Sequence, residues 1–275
     1  MSTETEDLVA LDYEMYTSLN QIQFENKTVA VDLTSLLEPS NLGFGVTYTN
    51  HSIDFEDYEM YHNFQALETL HSVEVFAKYQ KALANNWNMG ITLAPYLSST
   101  FNDAVSNEDF VFSYAANFIK SWDNDGHKSY LKLGLGYGAV FGKPSFYPLL
   151  SYTKHVDEKL RYEIGFPRSG AFYKINTQSS VDFTLAPTSV YANNSSDFSL
   201  ENGMVYSNSK LEFKALKAAL GYTFQFDDYW SSYFSVGYLT ASELTLTNND
   251  NKIYDFDSNE SLSLNLGISF NLNKK

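Results

Sequence analysis

The sequence predicts an all-β chain: one antiparallel barrel that crosses a membrane, a single domain over residues 1–275. Three observations carry this. Apolar and polar residues alternate with period two along almost the whole chain. The links between alternating segments switch between short turns and longer acidic stretches. Aromatic residues make up 16% of the chain, with 21 Tyr and 21 Phe, yet the mean hydropathy is −0.29. A chain this aromatic and this hydrophilic has to place its two characters on opposite faces of its elements.

In chain order, Val9, Leu11, Tyr13 and Met15 alternate with Ala10, Asp12 and Glu14, and "TVAVDL" follows from Thr28. Leu42, Phe44, Val46 and Tyr48 alternate with Gly43, Gly45 and Thr47, then Val73, Val75, Ala77 and Tyr79 with Glu74, Phe76 and Lys78. Trp87, Met89, Ile91 and Leu93 form the next apolar face, followed by Phe110, Phe112, Tyr114 and Phe118. In "SYLKLGLGYGAVFGKP" the apolar face is Leu131, Leu133, Leu135 and Tyr137, while Gly134, Gly136 and Gly138 leave the other face almost bare. Glycine weakens a strand, so this favours a face that curvature crowds and no packed core fills. "FYPLLSYTKH", "KLRYEIGF", "AFYKIN" and "VDFTLAP" precede a long pair at 209–226 and 229–246. In the first of that pair the apolar phase shifts around Ala215–Leu216, which reads as a β-bulge. The last strand, "SLSLNLGISFNL", sets Leu262, Leu264, Leu266, Ile268, Phe270 and Leu272 against Ser, Asn and Gly.

Short turns are expected at 38–41, 84–86, 123–126, 155–159, 176–180 and 227–228, and longer links at 55–65, 102–108, 192–208 and 247–260. Short periplasmic turns and longer extracellular loops are the plan of an outer-membrane barrel. A one-up, one-down trace with both termini periplasmic needs an even strand number, here 14, or 12 if the N-terminal pair stands outside the barrel. Many segments approach the ~9–11 residues that cross a bilayer at a tilt. Trp87, Phe110, Phe118, Phe141, Phe166, Trp230 and Phe270 sit toward the ends of apolar faces, where aromatic girdles belong.

Composition excludes several function classes. With 18 Lys+Arg against 33 Asp+Glu, a net charge of −15 and a pI near 4.6, the chain lacks the basic footprint of a nucleic-acid partner. There are no cysteines, hence no disulfides, thiolate zinc sites or thiol nucleophiles. "MSTETEDLVALDYE" shows neither a basic nor an apolar signal region, so the chain reads either as cytoplasmic or as a mature chain with a replacement methionine, its signal peptide removed. The five histidines match no metal-binding spacing, and no nucleophile elbow or phosphate loop occurs. Nothing around His71 singles out a Ser–His pair. "DNDG" resembles the start of a calcium loop but lacks its closing glutamate. No cofactor, metal or enzymatic activity is expected.

One stretch resembles a known family. Gly142-Lys143-Pro144, Pro148-Leu149-Leu150 with Tyr152, and Gly165-Phe166-Pro167 are similar to the recurring elements of an uncharacterised family of Bacteroidetes outer-membrane β-barrels. The resemblance covers about a sixth of the chain. It implies a membrane barrel in the cell outer membrane and supplies no activity.

The functional expectation is a porin-like passive channel for small solutes, the alternative being a non-conducting structural or docking subunit of an outer-membrane complex. The expected partners are outer-membrane lipid and other envelope proteins. The residues that carry it are charges on the polar face: Asp12, Glu14, Glu74, Lys78, Lys132, Arg161, Glu163, Lys174 and Asp182. Charge on the lipid face costs ~2–4 kcal/mol at mid-membrane, so these should point into the lumen. Arg161 and Glu163, two apart, share that face, and Lys174 and Asp182 are placed to complete a cross-strand charge band.

Overall fold

In the computed structural model, which describes residues 7–37, 40–55, 64–124, 127–199 and 204–272, fourteen antiparallel strands close into a barrel. They are β1 (Val9–Leu19), β2 (Ile22–Asp32), β3 (Leu42–Asp54), β4 (Thr69–Ala82), β5 (Trp87–Leu93, continued as Tyr96–Ser99) and β6 (Phe110–Val111, continued as Tyr114–Asn124). Next come β7 (His127–Gly138), β8 (Ser145–His155), β9 (Leu160–Phe166) and β10 (Ser169–Lys174). The last four are β11 (Ser179–Asn194), β12 (Ser209–Gln225), β13 (Trp230–Asn248) and β14 (Ser261–Phe270). Each strand pairs with the next, and β14 returns to β1 with Val9 opposite Phe270 and Tyr16 opposite Ser263. The N-terminal pair therefore belongs to the wall. Val9, Phe270 and the described parts of the links 33–41, 83–86, 156–159, 175–178 and 226–229 lie at one end of the barrel. The links 100–109 and 249–260, the described parts of 55–68 and 195–208, and the two-residue turns 20–21 and 167–168 lie at the other.

The apolar face is the outer one. Leu11, Val29, Phe44, Val46, Val75, Leu135, Phe183, Leu220 and Leu266 are all exposed, while their polar neighbours in sequence point inward. On β6–β8, Tyr114, Tyr137 and Phe146 pack in register on that outer face with ring centroids 5.1–6.4 Å apart, an arc of an aromatic girdle. β9 and β10, at 7 and 6 residues, are shorter than a full crossing, whereas β12 and β13 reach 17 and 19.

The long strands reverse character on the way up. On β2 the inward residues change from Thr28 and Asn26 to the fully buried Phe24 and Ile22, while outside Val29 gives way to Lys27, Glu25 and Gln23. On β3, Thr47 and Thr49 give way to Ile53. On β12, Lys217 gives way to Ala215, Phe213 and Leu211 on the same inward face. The change of apolar phase at Ala215–Leu216 is thus a reversal of character, and β12 keeps its face. The bulge expected there exists, but its extra residue lies on β13: Lys214 pairs with Glu243 and Leu216 with Thr240, and Ala241 takes φ +50°. That residue turns β13 over, so Leu239 below it and Leu244 and Leu246 above it all point inward.

The upper interior is accordingly a packed apolar core. Tyr16, Phe24 and Phe213, from β1, β2 and β12, meet at 5.5–5.6 Å between ring centroids. Phe55, Phe64, Phe198 and Phe256 from the links close over them. Each buried phenylalanine contributes roughly 1.5–3 kcal/mol. At this level the ring is smaller than below: Ser99 at the tip of β5 bridges to Asn193 of β11, bypassing β6–β10. A polar latch holds the junction. Asn193 Nδ2 donates to Asp109 Oδ1 at 2.8 Å, Ser106 N to Asp109 Oδ2 at 2.6 Å, and Lys210 Nζ reaches Glu108 Oε2 at 2.9 Å and Asn193 Oδ1 at 3.0 Å.

On β7 the inward glycines meet three different neighbours: Gly134 the backbone at Ala116–Asn117, Gly138 the Ser113 hydroxyl, and Gly136 an aromatic ring. Gly136 lies against the ring of Tyr147 from β8, which occupies the space a Cβ would need, and Gly45 lies in the same way against Phe76 from β4. The inner wall is therefore paved at these points by a neighbour's aromatic ring, beyond the curvature and clearance expected from sequence.

Two outcomes follow for the fold. Gly136→Val must displace the Tyr147 ring, an overpacking worth ~1–3 kcal/mol; the temperature at which the folded barrel loses its shifted mobility on unboiled electrophoresis should fall, while Gly136→Ala falls less. At Asp109, burial raises the carboxyl pKa, but hydrogen bonds from Ser99, Asn193 and Ser106 outweigh it and hold the group below its ordinary value. A depressed pKa stabilises the latch above the unfolded value and loses that contribution as pH falls through the folded one. Limited proteolysis of the 100–109 link should thus accelerate below about pH 4, and Asp109→Asn should remove that pH dependence.

Candidate functional site: the charged lumen

Below the apolar core the interior is polar, and β1 sets its first charges. Asp12 and Glu14 lie on the face opposite Leu11 and Tyr13. Glu14 Oε1 accepts from Lys217 Nζ at 2.5 Å. β1 and β12 are separated by β13 and β14, so this ion pair bridges three strand spacings through the lumen. Tyr16 Oη donates to Glu14 Oε2 at 2.9 Å and lies 3.1 Å from Thr188 Oγ1 of β11, a second bridge at the same level. Asp182 sits beside Gly221, against which the Tyr233 ring also rests. On β4, Lys78 Nζ contacts Asp32 Oδ2 at 3.1 Å and lies 4.4 Å from the centre of the Phe76 ring. Glu74 is opposite Tyr96 in register. Lys132 on β7 stands between Ile119 and Ser151.

Around Arg161 an aromatic ring joins the row of charges expected from sequence. Arg161, Phe172 and Asp182 are successive cross-strand partners on β9, β10 and β11. Phe172 stands between the two charges in the register, and the Arg161 guanidinium stacks on its ring at 4.0 Å. Glu163 accepts from Arg168 Nη2 at 3.3 Å. Arg168 lies in the turn after β9, outside any alternating pattern, so sequence reasoning has no signal for it. Lys174 lines a cavity of about 290 Å³ at the short-turn end, together with His155, Arg161 and Phe172.

These charges are segregated around the wall. Asp182, Asp12, Glu14, Asp32 and Glu74 occupy the arc that runs from β11 through β1 to β4, with Lys217 and Lys78 among them. Lys132, Arg161, Arg168 and Lys174 occupy β7–β10, with Glu163 among them. An acidic and a basic arc facing each other across a narrow interior set up a transverse field, strongest where water is least.

A second cavity, about 320 Å³, lies directly beneath the apolar core. Thr49, His51, Ser72, Glu74 and Tyr96 line one side, Ser189 and Tyr191 another. His51 is 7% exposed. Sequence reading passes over His51 and Ser72 because the register of β3 on β4 follows from a long link that carries no turn signal. His71, by contrast, lies on the outer face, 2.8 Å from Tyr48 Oη. Among the described residues no cluster of three or more His, Asp or Glu is arranged to hold a metal ion. The turn "DNDG" lies partly outside the described residues.

Residues 168–275 match a family model described as an outer membrane protein beta-barrel domain. No curated protein matches the chain by sequence. Among solved structures it is similar to the KdgM porin (TM-score 0.43, 9% identity, covering 96% of this chain and 100% of that one). It is similar in the same degree to the NanC porin (TM-score 0.44, 13% identity, 96% and 100%). The outer membrane phospholipase A of Escherichia coli matches at TM-score 0.35 and 12% identity, over 97% and 93%. The chain is a closed antiparallel barrel whose last third and more matches an outer-membrane barrel domain.

Proposed function

We propose that this protein is an outer-membrane, porin-like barrel that passes small polar solutes. The observation that supports it best is the charge-segregated lining below the apolar core, with the Glu14–Lys217 pair bridging part of it. Opposed acidic and basic arcs orient dipolar solutes and exclude apolar ones. The long-loop end faces the exterior of the cell in this reading, because the outer surface of the upper barrel is polar and Val9 and Phe270 lie at the other end. Lipid contacts the exposed apolar band.

The second reading, a non-conducting barrel that serves an envelope complex, is favoured by one observation: the apolar core that fills the upper ring. The two readings part on conductance. Purified protein in planar bilayers should give discrete current steps if the route beside the core is open, and none if the barrel is purely structural.

In a conducting protein, Lys217→Gln should release Glu14 into the lumen and shift reversal potentials toward cation preference. Arg161→Ala, which also removes the stacking on Phe172, should shift them the same way and lower thermal stability by about 1 kcal/mol. A shift toward anions in either variant counts against the assignment of these charges to the lumen. Protease added to intact cells should cut within 195–208 and 249–260 and spare 155–159; the opposite pattern would reverse the orientation.

A further inference from the structure

The inward faces of β2, β3 and β4 bring three side chains into a relay. Asn26 and His51 are directly opposed across β2–β3, and Ser72 lies diagonally across β3–β4. His51 Nδ1 is 2.6 Å from Asn26 Oδ1, and His51 Nε2 is 3.2 Å from Ser72 Oγ. An amide oxygen only accepts, so Nδ1 carries the proton and Nε2 presents its lone pair to the Ser72 hydroxyl. Nucleophile, base and orienting group therefore stand in the order that activates a serine. Asn26 and His51 are 9% and 7% exposed beneath the Phe24 ring, while Ser72 and His51 both border the 320 Å³ cavity.

We propose that Ser72, His51 and Asn26 form a hydrolytic site inside the barrel, acting on small acyl esters of neutral polyhydroxylated solutes. The cavity supports this substrate class. Its volume suits a small ligand, and the hydroxyl-bearing residues Thr47, Thr49, Tyr96, Ser189 and Tyr191 line it. It carries the Glu74 carboxyl group and neither Lys nor Arg, which disfavours anionic esters.

Ser72 Oγ attacks the ester carbonyl carbon as its proton passes to His51 Nε2. The bond from that carbon to the alcohol oxygen breaks, and the departing alcohol takes the proton from Nε2. Water then attacks the acyl carbon and gives its proton to Nε2. The bond to Ser72 breaks, Oγ recovers the proton, and the carboxylic acid leaves. Water is the sole co-reactant. Ser98, whose hydroxyl is 2.7 Å from Ser72 Oγ, is placed to stabilise the developing oxyanion. Asn26 is a positioning residue that holds the His51 tautomer. The activity does not depend on conduction, since a substrate has only to reach the cavity.

The test uses the full chain, folded in detergent and treated with a fluorophosphonate probe, followed by intact mass measurement and peptide mapping. A single adduct on Ser72 is expected, together with turnover of p-nitrophenyl acetate that Ser72→Ala abolishes. His51→Gln should slow labelling ~100-fold or more. Asn26→Asp should retain labelling with a displaced pH profile, and Asn26→Leu should lose it, both with the mobility shift of a folded barrel. The first measurement needs no variant, so it stands even where a mutant misfolds. Folded unaltered protein with no adduct on Ser72, or labelling undiminished in folded His51→Gln, overturns the proposal.

Discussion

The structure depends on one constraint: in hydrocarbon, every backbone N–H and C=O has to find its partner within the protein, so the sheet can have no edge. The pairing of β14 with β1, from Val9–Phe270 to Tyr16–Ser263, satisfies it by joining the first strand to the last. Closure in turn decides what each side chain meets. With the wall continuous, alternate residues face either lipid or the interior, and the apolar set goes outward. The same chain pattern in a soluble sandwich would have sent that set inward.

Much of this is legible in the sequence because a period of two survives any ignorance of register. "SLSLNLGISF" and "KLEFKALKAAL" declare strands, and the even strand number follows from where the short turns fall. The faces of Asp12, Glu14 and Arg161 can be read from their apolar neighbours for the same reason. What cannot be read is anything that requires knowing which strand slides where. Arg168 and Glu163 meet through a turn, Glu14 and Lys217 meet across three strand spacings, and Asn26, His51 and Ser72 meet only once β2, β3 and β4 are in register. Each of these pairings is fixed by hydrogen-bond ladders that leave no local trace in the residues concerned.

The apolar core is hidden for a different reason. Inward Phe24, Phe213 and Leu246 are indistinguishable by alternation from outward Phe44 or Leu220. Only the accompanying change on the opposite face, from Val29 to Lys27 or from Leu216 to Lys214, marks the level at which lipid ends. Sequence reading takes that change on β12 as a shift of phase, whereas the strand runs straight through it and the inserted residue belongs to its neighbour.

Ala241 has a consequence of its own. β12 crosses from lipid to water by changing composition, but β13 does so by counting: one additional residue reverses which parity of its side chains faces inward. The two adjoining strands thus encode the same boundary in different alphabets. Point substitutions can move the boundary on β12 gradually, residue by residue. On β13 it moves only through an insertion or deletion, in whole steps, which pins the height of the water line on that side of the barrel to a single position in the chain.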